Sequence, residues 1–251
     1  MSSLKISPLT KIGSAYKELS EAFKASNPAA VAVVLGPTGE VGREVVRNLL
    51  SLGAYSKVIV ATRRELEYDG PNSDKLVQVK VDYDNIEKHK EDFKEASTCF
   101  CCLGTTRGKA GKEGFYKVDH DYVINSAKML KENGLRHFSM CSAQGANPSS
   151  MFYYPKVKGQ TDDELKQLGF ERLTISRPAF LVCEREESRP MERFFGAIIS
   201  GVNKLVPNLM SVSTADVARA MVSDSFEKVV QTPVVTIYEN KDIVEHASRL
   251  D

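Results

Sequence analysis

The sequence predicts an α/β fold of the Rossmann type: a doubly wound parallel sheet with helices on both faces, plus an N-terminal helix. Three observations predict it. From residue 30 onward, apolar runs of strand length alternate with segments of helical period. A glycine-rich turn, Gly36-Pro37-Thr38-Gly39-Glu40-Val41-Gly42, joins the first run to the first helix. No internal repeat, low-complexity linker or convincing second-domain boundary interrupts the alternation. The expected organisation is a leader and helix over residues 1–28 and a single dinucleotide-binding domain over 29–251, with the substrate or partner region in its C-terminal part.

The elements follow in order. Ala15–Phe23 places Leu19, Ala22 and Phe23 on one helical face, and Asn27-Pro28 stops the helix. Ala30–Leu35 is a continuous apolar run, the mark of a strand covered on both faces. Gly42–Leu52 carries Val45, Val46, Leu49 and Leu50 at helical spacing. Lys57–Ala61 and Leu76–Val81 supply the second and third strands, Ile86–Phe93 a short helix, and Ser97–Leu103 the fourth strand. Val118–Asn133 reads as a long helix ended by Gly134, where a left-handed residue is favoured. His137–Cys141 is the fifth strand, Pro155–Leu168 a helix ended by Gly169, and Leu173–Ile175 the sixth strand. The remainder is less regular, with Thr214–Val222 helical and Val234–Tyr238 a late strand.

Composition excludes several classes. A net charge of +1 over 251 residues gives no global field toward nucleic acid or an anionic membrane. No window approaches the roughly 18 apolar residues of a spanning helix, and the N-terminus lacks the basic-then-apolar order of a secretory signal. Cys99, Cys101 and Cys102 lie in an apolar run, where thiols pack as small hydrophobes. Cys99 and Cys102 have the Cys-x-x-Cys spacing, but with no second such pair and no close His pair beside them no metal site is expected. Five cysteines make no disulfide framework, so the chain reads as reduced and intracellular, in the cytoplasm.

The glycine-rich turn carries the strongest signal. Gly36 permits a tight turn, Gly39 lets backbone approach a pyrophosphate, and Gly42 lets the helix pack closely. The helix N-terminus then offers unpaired N–H groups to an anion. It is not a nucleoside-triphosphate loop, because Arg43-Glu44 stands where Lys-Ser/Thr is required. The second strand ends Thr62-Arg63-Arg64 instead of in the acidic residue that reads a ribose hydroxyl. Two guanidiniums there suit a 2′-phosphate, and the cofactor expected is NADPH. Asp82, at the end of the third strand, can take the adenine amino group. Leu103, Gly104 and Thr105 end the fourth strand, and Gly104 lets backbone approach the cofactor.

The chemical end comes later. Ser142 follows the fifth strand, and Tyr154 and Lys158, four residues apart, share a helix face. Pro155 is compatible with a helix that begins there. A phenol of pKa about 10 is a poor acid–base group near neutrality. A neighbouring ammonium favours the phenolate. Ser142 can hydrogen-bond a substrate carbonyl while Tyr154 gives or takes the proton.

Together these residues resemble the short-chain dehydrogenase/reductases, and more closely the atypical branch formed by the HIV Tat-interacting, oxidoreductase-like family. The resemblance runs from about residue 15 to 240. It rests on Gly36–Gly42, Arg63-Arg64, the block Cys101–Gly111, Val118-Asp119, Asp121-Tyr122-Val123, Val157-Lys158-Gly159 and Glu187-Ser188-Arg189-Pro190. It implies that Thr38, Gly39, Glu40 and Val41 line the pyrophosphate, that Arg63 and Arg64 meet the 2′-phosphate, and that Leu103 and Gly104 border the adenine ribose or the nicotinamide side. It further implies that Tyr154 and Lys158 are catalytic, that Leu181 lies near the nicotinamide, and that Arg189 clamps a cofactor phosphate or the cleft rim. Departures are Asp119, where many relatives carry an active-site asparagine, Ala179-Phe180 after Arg177-Pro178, and Pro155 beside the tyrosine.

Two functions remain open at this stage. One is an NADPH-dependent oxidoreductase acting on a small-molecule carbonyl or alcohol. The other is an NADPH-sensing regulator with little turnover. The resemblance implies for the latter roles in transcription, nuclear import and cell death, protein partners such as import receptors or transcription factors, and a nuclear pool. Arg107, Lys109 and Lys112 make the segment Thr105–Gly114 read as a basic, flexible loop beside the cleft. Three charges are too weak a footprint for nucleic acid. There is no kinase catalytic loop. The four histidines are scattered and read as structural. The expected state is a monomer or weak dimer.

Overall fold

The structure is a computed structural model, described here over residues 3–182 and 210–251. Its centre is a parallel sheet of seven strands: β2 (Val31–Leu35), β3 (Lys57–Thr62), β5 (Leu76–Lys80), β6 (Thr98–Cys101), β7 (His137–Cys141), β8 (Arg172–Arg177) and β11 (Val234–Glu239). Their spatial order is β11-β8-β7-β6-β2-β3-β5. The chain starts at β2, winds outward through β3 to β5, then returns to the other side of β2 with β6. That reversal opens a crevice at the C-terminal ends of β2 and β6, where doubly wound sheets bind ligands.

Alternation along the strands sorts side chains to two faces. Ala32, Val34, Val58, Val60 and Phe100 face helices α1 (Ser14–Ser26), α2 (Glu40–Leu52) and α6 (Thr214–Phe226). Val33, Leu35, Ile59, Ala61, Phe138 and Met140 face α4 (Tyr122–Glu132) and α5 (Tyr153–Gln167). Cys99 and Cys101 belong to this second face. Burial pushes the Cys99 thiol well above its usual range and Cys101 to about 12, as expected of inert packing groups. Each fully buried Val or Leu in these layers contributes roughly 1.5–3 kcal/mol.

The structure departs from the sequence reading at several places. The leader contains a strand, β1 (Leu4–Ile6), paired in parallel with β4 (Leu66–Tyr68). Three-residue strands leave too short an alternation to see. The expected helix over 86–93 is two 3₁₀ turns, Tyr83–His89 and Glu91–Phe93, because Asn85 leaves helical geometry at φ −136°. The segment expected as a flexible loop is a helix, α3 (Arg107–Tyr116), broken at Gly111, whose φ is +70°. Its end runs through a π turn, Lys117–Asp121, into α4, so the long helix expected from Val118 is compound. The C-terminal part adds β9 (Phe180–Val182) paired with β10 (Ser211–Ser213), and α7 (Asn240–Ser248). No described helix is long and apolar enough to cross a membrane.

At the N-terminal ends of the strands, away from the crevice, lies a buried polar network. Thr174 donates to Asp224 at 2.8 Å, Tyr238 donates to the same carboxylate at 3.0 Å, and Arg172 pairs with it at 2.8 Å. His137 Nε2 lies 3.1 Å from Thr174 Oγ1. Burial holds the His137 imidazole down at about 3, with Asp224 opposing that effect and Arg172 adding to it. The folded chain therefore carries neutral His137, while the unfolded chain protonates it near 6.5. Stability contributed by the neutral ring is present above pH 6.5 and declines as pH falls toward 3. The slope approaches about 1.4 kcal/mol per pH unit for this one proton. Urea midpoints between those limits are expected to fall less steeply in a His137→Asn variant, and parallel curves would exclude His137 as the source.

Candidate cofactor and active site

The crevice is built on close backbone approach. Gly36 has φ +73°, and a Cβ on it would stand 2.6 Å from the Cys102 carbonyl oxygen. A Cβ on Gly42 would stand 2.2 Å from the Gly36 oxygen, so the third glycine packs helix α2 against its own loop. Gly39 is the N-cap of α2 and brings no side-chain cap to the first turn, the end of a helix that favours an anion. Gly36, Thr38, Gly39, Leu103, Gly104 and Thr105 line a cleft of about 330 Å³. Its far wall is Tyr83 and Tyr122, stacked with ring centroids 5.4 Å apart. The sequence reading missed both tyrosines. Only the fold brings the end of the third strand beside helix α4.

Arg63 and Arg64 line this cleft and also a neighbouring cavity of about 400 Å³ that Lys80 and Gln78 share. Lys80 stands in register with Thr62 on the adjacent strand. Among the described residues none of the three cations has a carboxylate within 4.0 Å. The other residues expected here go elsewhere. Glu40 pairs with Arg43 and lines a different cavity. Val41 is buried in the core behind the loop. Asp82 caps its own turn, accepting from Asp84 N at 3.0 Å and Asn85 Nδ2 at 2.8 Å, so its carboxylate is engaged locally. Leu181 sits in β9 opposite Val212 and packs on the α2 face of the core. Arg189 lies outside the described residues.

At the chemical end, α5 begins at Tyr153 with Pro155 in its first turn, where the missing N–H removes no helical bond. Tyr154, Lys158 and Asp162 then follow at i, i+4 and i+8 along one face. The Tyr154 ring packs on Phe115 with centroids 5.4 Å apart, and the residue is 45 % exposed. Lys158 is 3 % exposed, and its Nζ lies 3.5 Å from Asp119 Oδ1. The second oxygen of Asp119 accepts the Thr105 N–H at 2.8 Å.

Ser142 is engaged more deeply. Its hydroxyl donates to Asp162 Oδ1 at 2.6 Å, and Arg177 Nε donates to the other oxygen of Asp162 at 3.0 Å. The serine hydrogen is thus directed to a carboxylate held by an arginine, leaving Ser142 as an acceptor. Asp162 escaped the sequence reading, although its i+4 spacing from Lys158 was visible.

The electrostatics follow from these contacts. Burial pushes the Tyr154 phenol up, Lys158 pulls it down, and Asp119 and Cys141 push it up again, with a net upward shift. Burial lowers Lys158, but Asp119, Tyr154, Cys141 and Asp162 reverse this, and the ammonium is stabilised overall. The expected lowering of Tyr154 by its lysine is therefore present and outweighed.

Comparison with known proteins agrees with this geometry. An NAD(P)H-binding family profile matches residues 36–225. Protein HTATIP2 of Rattus norvegicus is 39% identical over 185 residues, which cover 72% of this chain and 76% of that protein. The chain belongs to this NAD(P)H-binding, HTATIP2-like family.

Within the same family, Protein FMP52, mitochondrial, of Candida albicans is 32% identical over 228 residues, covering 87% of this chain and 98% of that protein. The fold recurs in a short chain dehydrogenase from Burkholderia cenocepacia solved with NADP, with a TM-score of 0.62 and 14% identity over 88% of this chain and 92% of that one. It recurs also in WbmH of Bordetella bronchiseptica solved with NAD+, with a TM-score of 0.60 and 18% identity over 84% of this chain and 74% of that one. The fungal members are named mitochondrial, which overturns the cytoplasmic and nuclear placement read from the sequence.

The HTATIP2-like crevice tolerates no side chain at Gly36. A Gly36→Ala variant is expected to lose about 5- to 150-fold in dinucleotide affinity by calorimetry, since overpacking of about 1–3 kcal/mol falls on the loop itself. Unchanged binding would show that the loop does not contact the cofactor.

Proposed function

We propose that this chain binds NADPH in preference to NADH and reduces a carbonyl compound, with Tyr154 as the proton donor. The observation that carries the cofactor preference is the set Arg63, Arg64 and Lys80, three cations with no carboxylate partner among the described residues at the end of the second and third strands of the sheet. An NAD reader keeps a carboxylate at that place to accept the ribose hydroxyl, whereas a 2′-phosphate is met by guanidinium forks.

The residues present fit a dinucleotide. The glycine turn leaves no room for a Cβ where backbone approaches, and α2 begins at the cleft, where the N-terminus of a helix would hold a pyrophosphate. When bound, the reduced cofactor supplies the hydride. Tyr154 keeps its proton near neutrality and gives it to the carbonyl oxygen. Lys158 stands beside that phenol as an ion pair with Asp119, so its ammonium offsets only part of the negative charge left on Tyr154. Solvent then returns a proton to Tyr154, whose partial exposure leaves that route open.

A second reading, an NADPH sensor with little turnover, is favoured by one observation. The Ser142 hydroxyl, which would donate to a substrate carbonyl, donates to Asp162.

Two measurements test these readings. NADPH is expected to bind about 100-fold more tightly than NADH, and an Arg63→Ala/Arg64→Ala variant should erase the difference, each charged hydrogen bond contributing about 1.5–3 kcal/mol. Equal affinities in the wild type would remove the NADPH preference. Tyr154→Phe is expected to retain NADPH binding and lose carbonyl reduction by at least about 100-fold. A wild-type protein that binds NADPH but consumes it with no aldehyde or ketone leaves the sensor reading.

A further inference from the structure

The π turn Lys117–Asp121 places a buried carboxylate where two functional segments meet. Asp119 is 2 % exposed. One of its oxygens lies 3.5 Å from the Lys158 ammonium on α5, and the other accepts the Thr105 N–H from the cofactor-lining end of β6. A Cβ on Gly104 would stand 3.4 Å from the first oxygen, so the strand end lies directly against this side chain. The Asp119 backbone carbonyl accepts a hydrogen bond from Thr161 on α5 at 3.0 Å, which fixes the turn to the helix that carries Tyr154 and Lys158. A π turn inserts one residue into a helix and re-aims the side chain at that point, a device frequent at functional sites. Here it turns Asp119 inward, against the lysine.

We propose that Asp119 is a positioning residue that shares the charge of Lys158 and so keeps Tyr154 a phenol, setting the site to give a proton to a carbonyl and not to take one from an alcohol. This rests on the reading of Tyr154 as proton donor. A lysine facing a tyrosine alone favours the phenolate, the form that accepts a proton. A carboxylate bound to that lysine cancels much of its field at the phenol, and the pair becomes close to neutral when seen from Tyr154. Among the described residues, the other groups around the pair do not supply a competing positive charge. Cys101, Cys102 and Cys141 face it from β6 and β7 with thiols that burial holds protonated. Asp162, further along α5, is tied to Ser142 and Arg177. Phe115 covers the Tyr154 ring from α3. The net upward shift of the phenol agrees with this arrangement.

The test follows the phenol itself, so it does not require turnover. Nuclear magnetic resonance of carbon-labelled tyrosine, with the signal assigned by Tyr154→Phe, gives the pH at which Tyr154 ionises. In the wild type it is expected no lower than a free tyrosine, about 10. In Asp119→Asn it is expected to fall by about one pH unit or more, because the ammonium is then unopposed. Asp119→Glu, which keeps the charge, should stay nearer the wild type. In a Lys158→Met background, Asp119→Asn should move the phenol in the same direction by much less. A merely structural aspartate would lower stability and leave the phenol titration unmoved. Equal ionisation in the wild type and Asp119→Asn overturns the proposal. So does a wild-type phenol that ionises well below 10, an outcome that needs no variant to fold. Where a carbonyl substrate is turned over, the alkaline limit of reduction should move down with the phenol in Asp119→Asn. If no carbonyl is reduced, the proposed activity fails while the titration still decides the role of Asp119.

Discussion

The site depends first on a backbone contact. Gly36 comes so close to the Cys102 carbonyl that no Cβ fits between them, and Cys102 N in turn donates to Leu35 O at 2.8 Å. This fastens the end of β2 to the end of β6 across the point where the sheet reverses its winding. The crevice, the open N-terminus of α2 and the reach of Leu103 to Thr105 all follow from it. A side chain at Gly36 would separate the two strand ends and lift the cleft-lining residues apart.

A second constraint governs the chemistry. Three buried charged groups, Lys158, Asp119 and Asp162, converge beneath Tyr154, with Arg177 behind Asp162. Burying a charge is costly unless it is paired and hydrogen-bonded. The chain meets this by giving each acid a cation and a neutral donor: Asp119 has Lys158 and the Thr105 N–H, and Asp162 has Arg177 and the Ser142 hydroxyl. The pairing that stabilises these charges also decides which protons remain available. Ser142 directs its hydrogen to a carboxylate, and Tyr154 keeps its own.

The same logic, used for packing alone, organises the opposite end of the sheet. There Asp224 collects Thr174, Tyr238 and Arg172, and His137 stays neutral beside them. Among the described residues, none of these lines the cleft at Gly36. Buried ionisable groups in this fold thus form two separate networks.

By itself the sequence determined the alternating strands and helices, the glycine turn and the pair of arginines at the second strand, because each is a local pattern of period or spacing. It also determined that Tyr154 and Lys158 share a helix face, since a separation of four residues imposes that on any α-helix. Only the tertiary structure decided what those residues meet. Asp119 became the partner of Lys158 through a π turn that a helical pattern does not reveal. Ser142 went to Asp162, Asp82 to its own turn, and Tyr83 with Tyr122 took the cleft wall, because strand ends and helix faces distant in sequence are brought together by the winding of the sheet. The physical reason is range. Periodicity and turn chemistry act over a few residues, whereas the pairing of buried charges is settled by whichever groups the packed core leaves within a hydrogen bond of each other.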